Sequence, residues 1–140
     1  MAGLFSRLQK RSIGHHPYCT AVVVAAGSAS RMKGIDKIMT TLGGIPVLAR
    51  TLQALEQCGR IDEIVVVTRT DLCAPVNILC REFGIQKVTA VVSGGATRAE
   101  SVRCGLCAVS GRAELAAIHD GARPFVSQEL LERVLIAGAK

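Results

Sequence analysis

Four short runs of β-branched and small apolar residues recur along the chain, at residues 20–25, 63–68, 87–92 and 115–119, and each has the length of a single strand. Between them the apolar residues repeat at helical spacing: Val47, Leu48, Thr51, Leu52 and Leu55, then Val76, Leu79 and Phe83, then Val102, Leu106 and Val109. A last helix is expected over residues 128–137. Strands separated by helices pair in parallel through right-handed crossovers. The pattern βαβαβαβ therefore predicts an α/β fold with a mainly parallel sheet and helices packed on it.

Local signals mark the helix ends. Pro46 fits the first turn of the first helix, Gly59 and Gly84 fit C-terminal stops, and Thr97-x-x-Glu100 reads as a capping box. When all strands point the same way, every loop that follows a strand emerges at one edge of the sheet, where open α/β folds bind ligands. Those loops are residues 27–37, 69–74, 93–97 and 120–124. If the fourth strand lies beside the first, a crevice opens between the first and last of these loops, and the site is expected there.

Composition narrows the class. With 140 residues the chain suits one domain, and with 49% apolar but only 3% aromatic residues its core must be built from Val, Ile, Leu and Ala. No apolar run approaches the length of a membrane span, so the mean hydropathy of +0.36 reflects a buried sheet and no membrane partner is expected. The net charge of +6 and pI of about 9.3 suit an anionic ligand. Tyr18, Phe5, Phe83 and Phe125 are scattered rather than arranged for base stacking, which favours a small phosphorylated molecule over nucleic acid.

Residues 1–17 carry Arg7, Lys10 and Arg11 and no acid; without the apolar centre of a secretory signal they read as a basic extension ahead of a domain spanning residues 18–140. Six cysteines in such a chain suggest reduced thiols and a cytoplasmic location. Cys104 and Cys107 have CxxC spacing but lie in an expected helix without a second pair, so small core residues are the preferred reading over a metal or redox site. His15 and His16 near Cys19 are weighed as a metal site and set aside.

Three loop motifs hold the remaining chemistry. Gly27-Ser28-Ala29-Ser30-Arg31 has Ala29 and Met32 where a dinucleotide fingerprint needs glycines, and it lacks the Gly-Lys-Ser/Thr end of a phosphate-binding Walker loop. Small residues followed by Arg31, Lys33 and Lys37 suit either a triphosphate or a solvated charged loop. Ser93-Gly94-Gly95-Ala96-Thr97 joins a strand to a helix and suits either close backbone approach to a ligand or a plain turn. His119-Asp120-Gly121-Ala122-Arg123 places a carboxylate at the end of a strand expected to be buried, where it suits a divalent cation or a ribose hydroxyl; His119 reads as a core or supporting residue. No nucleophile with an adjacent base stands out, which argues against a covalent enzyme intermediate.

AAGSASRM with Lys37, GGATRAESV and HDGARPF, in this order and spacing from residue 20 onward, resemble the 2-C-methyl-D-erythritol 4-phosphate cytidylyltransferase family. The resemblance implies a Rossmann-like three-layer α/β/α nucleotidyltransferase fold of GT-A-like topology. It also implies transfer of a cytidylyl group from CTP to methylerythritol phosphate, with Mg²⁺ or another divalent cation and release of pyrophosphate. It assigns Arg31 and Lys37 as catalytic cations and Ala25, Ala26, Gly27 and Ser28 as backbone near the nucleotide. Gly94, Gly95 and Ser101 become the cytosine-reading segment, Asp120 the acid near ribose and metal, and Arg98 a nucleotide-binding motif arginine in a supporting role. Arg123 is a supporting motif arginine.

The wording at Gly121-Ala122 favours methylerythritol phosphate over the alternative acceptor, a ribitol phosphate. Ala29, Ala96 and the Ile35-Asp36-Lys37-Ile38 stretch depart from the family pattern. Family members continue with further strands, an arm exchanged in a homodimer and an acceptor-binding lysine, none of which falls within these 140 residues. The expectation is a C-terminally truncated member, incomplete in fold, that binds nucleotide weakly and catalyses poorly. A further alternative is a nucleotide-binding fragment without turnover.

Overall fold

The computed structural model describes residues 16–27 and 36–140. Its order is β1 (Cys19–Ala25), β2 (Thr41–Leu42), β3 (Ile45–Pro46), α1 (Val47–Glu56), β4 (Glu63–Thr68), a 3₁₀ turn (Thr70–Leu72), α2 (Cys73–Glu82), β5 (Val88–Ser93), α3 (Arg98–Cys107), β6 (Leu115–Asp120) and α4 (Gln128–Gly138). The four expected strands are β1, β4, β5 and β6, with ends displaced by about one residue. They form one parallel sheet in the order β5-β4-β1-β6. The last strand therefore does lie beside the first, and the chain changes direction across the sheet between them.

The fold is the expected three-layer α/β/α arrangement. Because strand side chains alternate between faces, Ala21, Val23, Ile64 and Val66 share one face, and they pack with Leu48, Leu52 and Leu55 of α1, Val76 and Leu79 of α2, and Leu131 and Leu135 of α4. Val22, Val65 and Val67 point to the other face, which α3 covers. Each fully buried Val or Leu contributes about 1.5–3 kcal/mol, so this aliphatic sheet supplies a core without large rings.

Several expectations are corrected. Residues 102, 106 and 109 were expected on the buried face of α3, yet its buried residues are Ser101 and Gly105, and Leu106 is 46% exposed. The reason is close approach: a Cβ at Gly105 would lie 2.4 Å from Val22 Cγ1 and 2.7 Å from Val67 Cγ2, so the helix rests on the sheet through its smallest residues. Strand β6 is an edge strand with alternating half-buried and exposed residues, not a buried one. Cys107 is exposed and Cys104 half-buried, so that pair is not core, while Cys19, Cys58 and Cys80 are; all six cysteines are free.

Pro46 closes β3 and sits at the N-cap of α1 rather than inside its first turn. Helix α1 stops at Glu56 with Gln57 as its cap, so Gly59 is not its stop. Gly84 is the stop of α2: at φ +66 it lets Gly84 and Ile85 donate back to the carbonyls of Arg81 and Cys80, at 3.3 and 2.9 Å. An unexpected hairpin joins β2 to β3 through Gly43 and Gly44, both at positive φ, as a two-residue turn requires. Among the described residues no helix is long and apolar enough to cross a membrane. The basic extension lies outside the described residues except for its last two positions; there His16 Nε2 contacts Asp62 at 3.1 Å rather than a metal cluster.

Candidate active site at the carboxyl edge of the sheet

Hydrogen bonds pin the ends of β1, β4, β5 and β6, and the loops that leave them, to one another at one edge of the sheet. The Thr68 hydroxyl donates to the Ala25 carbonyl at 3.2 Å, and Gly94 N–H donates to the Thr68 carbonyl at 2.8 Å, so the ends of β1, β4 and β5 form one ledge. Gly121 N–H donates to the Val24 carbonyl at 2.9 Å, and Thr51 Oγ1 of α1 donates to the Gly121 carbonyl at 2.8 Å. These bonds fix the turn after β6 against β1.

Side-chain bulk is excluded at two points. A Cβ at Gly94 would fall 2.6 Å from both the Ala26 Cβ and the Ser101 Oγ, and one at Gly121 would fall 2.9 Å from the Ala25 Cβ. Glycine is required at both because the strand ends touch, which keeps the backbone of Ala25 and Ala26 close to the two loops. Ser101 Oγ accepts from Gly95 N–H at 3.2 Å. At the head of α3, Thr97 Oγ1 accepts from Glu100 N–H at 3.1 Å, as the capping box predicts. The Glu100 carboxylate reaches back one residue further, accepting from Ala96 N–H at 2.7 Å.

The result is a cleft of about 650 Å³, within the range of small-molecule sites. Of the expected residues, Ala25, Ala26, Gly27 and Lys37 line it from the first loop. Gly95, Arg98 and Ser101 line it from the third, and Asp120 from the fourth. Gly94 stands behind the lining as a spacer. Ser28 and Arg31 lie outside the described residues, and so does Lys33. Ser101 is only 2% exposed, and its hydroxyl serves Gly95, so it shapes the loop from beneath.

Asp120 is half exposed. Its Oδ1 accepts from Ala122 N–H at 3.0 Å, and its Oδ2 lies 3.7 Å from Arg123 Nε, a loose pairing that leaves the carboxylate facing the cleft. His119 is half-buried, and its Nε2 lies 3.1 Å from the Arg123 carbonyl, so it steadies the same turn. Among the described residues no group of three or more His, Cys, Asp or Glu could hold a metal ion alone. One carboxylate completed by phosphate oxygens is nevertheless the donor set that Mg²⁺ takes with nucleotides, so Asp120 fits that ion.

Two cleft residues were not singled out from the sequence. Arg69, after β4, places Nη2 3.0 Å from Asp36 Oδ2, and both line the cleft. The signal was present only as a loop at the correct edge of the sheet; nothing local ties Arg69 to Asp36. Hydrogen bonding to Asp71 and the charge of Asp36 raise the Arg69 pKa, and Arg69 in turn holds the Asp71 carboxyl below its ordinary value.

Residues 19–140 match the family model IspD, 2-C-methyl-D-erythritol 4-phosphate cytidylyltransferase. Among curated proteins, the enzyme of that name from Dehalococcoides mccartyi is 40% identical over 117 residues, covering 84% of this chain and 51% of the relative. That from Geobacter metallireducens is 42% identical over 122 residues, covering 81% and 51%. The crystal structure of 4-diphosphocytidyl-2C-methyl-D-erythritolsynthase from Anaerococcus prevotii superposes with a TM-score of 0.76 at 32% identity, covering 88% of this chain and 51% of that one. The chain spans about half the length of the curated relatives it matches.

Proposed function

This chain belongs to the 2-C-methyl-D-erythritol 4-phosphate cytidylyltransferase family, and on that premise we propose that its cleft binds CTP and serves cytidylyl transfer to 2-C-methyl-D-erythritol 4-phosphate. In that reaction a phosphate oxygen of the acceptor forms a bond to the α-phosphorus of CTP. The bond from that phosphorus to the bridging oxygen of the β-phosphate breaks, and pyrophosphate leaves. Such a step asks the protein for position and charge rather than covalent chemistry.

Lys37 provides a cation on the triphosphate side, between Asp36 and the buried Ile38, with Arg31 assigned the same duty. The backbone of Ala25, Ala26 and Gly27 borders the triphosphate, its small side chains leaving room for close approach, and Ser28 is assigned to the same stretch. Gly94, Gly95 and Arg98 border the nucleoside, with Ser101 supporting Gly95. Asp120 takes the ribose side and is the residue that would hold Mg²⁺, which when bound neutralises charge on the phosphate oxygens. The six free cysteines suit a reducing, cytoplasmic setting for this reaction.

The observation that carries the reading is the convergence, in one cleft, of Lys37, the Gly95 loop and Asp120 from three separate strand ends. The test is incubation of the chain with Mg²⁺, CTP and either methylerythritol phosphate or ribitol phosphate, following pyrophosphate release. Release with the first acceptor alone supports the reading. Release with the second alone changes the acceptor, and no release with either rejects turnover by this chain.

A further inference from the structure

The loop after β4 is the one strand-end loop to which the proposed reaction assigns nothing, yet it touches two of the three loops that the nucleotide would meet. Arg69 Nη2 reaches Asp36 Oδ2 at 3.0 Å, while its Nε and Nη2 hold Asp71 Oδ1 and Oδ2 at 3.1 Å each. The neighbouring Thr70 hydroxyl is hydrogen-bonded to the Ser93 hydroxyl, immediately before Gly94. Asp36 in turn organises the chain that follows: its carbonyl accepts from Met39 and Thr40 N–H at 3.2 and 3.1 Å, and from Thr40 Oγ1 at 2.9 Å. Ile38 is 6% exposed, and its carbonyl accepts from Leu48 N–H at 2.9 Å. Lys37 is thus the exposed residue between two anchored neighbours, one held by an ion pair and one by the core.

We propose that Arg69 is a positioning residue: with Thr70 it clasps the Asp36 and Ser93 segments together and so fixes where Lys37 meets the nucleotide. The proposal rests on the CTP-binding reading above. Two geometric facts favour a clasp over a direct phosphate contact. The guanidinium already satisfies two carboxylates, one of them through paired, fork-like hydrogen bonds. Its partner Asp36 is adjacent in sequence to the lysine whose position matters. A direct ligand would be better served by an arginine without acidic partners.

The two roles predict opposite signs for one substitution. If Arg69 binds phosphate directly, Asp36→Asn releases it and removes a repulsive charge, and Mg²⁺–CTP binds more tightly. If Arg69 is a clasp, Asp36→Asn and Arg69→Gln each weaken Mg²⁺–CTP binding by about two- to fivefold, the scale of a partly exposed ion pair. Arg69→Lys, which keeps the charge but not the fork, recovers part of the loss.

The experiment measures Mg²⁺–CTP affinity by calorimetry on these variants of the 140-residue chain, with amide hydrogen exchange at Met39 and Thr40 in the absence of nucleotide. The clasp predicts exchange about two- to fivefold faster in Arg69→Gln than in wild type, with an unchanged melting temperature. Tighter CTP binding by Asp36→Asn, or unaltered exchange at Met39 and Thr40, overturns it. Should the wild-type chain bind no CTP, the reading of the cleft fails, and the exchange result alone decides whether the clasp exists.

Discussion

Lys37 shows how a residue is placed by what lies on either side of it. Its own side chain is exposed, but Asp36 is tied to Arg69 at 3.0 Å and Ile38 is buried, so the backbone that carries the lysine is held at both ends. In the proposed reaction Lys37→Ala removes a charge where negative charge would accumulate, and losing one such preorganised group costs about 10²–10³ in turnover. Comparing pyrophosphate release by wild type and variant at saturating CTP measures it; a loss under threefold contradicts the assignment. Sequence reading placed Lys37, Gly95 and Asp120 at one edge of the sheet, and they line one cleft, because small residues, a cation and an acid at strand ends form local patterns. It missed Arg69 and Asp36 because an ion pair between two separate loops leaves no local pattern.

At the scale of elements, the strands were legible and the packing of one helix was not. Runs such as Val22-Val23-Val24 and Val65-Val66-Val67 favour a sheet buried on both faces, and the separating helical periods forced parallel pairing. In α3 the same logic misled: Val102 and Leu106 looked like its buried face, whereas Ser101 and Gly105 are, because the helix lies too close to β1 and β4 for larger side chains. Apolar periodicity finds helices that pack through bulk and overlooks those that pack through its absence. Gly105→Ala decides the matter. Helix propensity alone favours alanine by about 1 kcal/mol, but a methyl group 2.4 Å from Val22 Cγ1 must displace backbone or side chain, at about 1–3 kcal/mol. The predicted outcome is net destabilisation by chemical denaturation; a stabilised variant contradicts the close approach. The β2–β3 hairpin was readable in principle from Gly43-Gly44, a two-residue turn signal between Thr41-Leu42 and Ile45-Pro46.

For the molecule as a whole, the core on the α1 face has a measurable signature in the Cys19 thiol. Burial first, and then the nearby charge of Asp62, push its pKa up to about 11 from the ordinary 9.0. A raised pKa in the folded state means that the unfolded chain loses its proton first as pH rises. The stability tied to this group is therefore complete below about pH 9 and lost progressively towards pH 11, by roughly 2–3 kcal/mol. Urea unfolding from pH 8 to 11 should show a steeper decline in wild type than in Cys19→Ala; equal slopes contradict the burial of this thiol. Exposed Cys107 should alkylate first among the free cysteines at neutral pH.

Parallel pairing and the edge that carries the site follow from alternating periodicities that the chain displays openly, whereas the three-layer packing was implied by the family resemblance and the order β5-β4-β1-β6 is settled only in the folded chain. The inner walls of the cleft depend instead on contacts that glycines permit, at Gly94 and Gly121, and only the folded chain reveals which neighbour each admits. The central claim is that these contacts assemble a nucleotide site from the strand ends. Calorimetric titration of the chain with CTP and Mg²⁺ tests it most directly, alongside Gly94→Val, whose side chain would occupy the space of Ala26 and Ser101. Saturable binding at one site is expected in wild type and its loss in Gly94→Val, with the variant still folded by circular dichroism. Absence of binding in wild type, or equal binding by Gly94→Val, would contradict it.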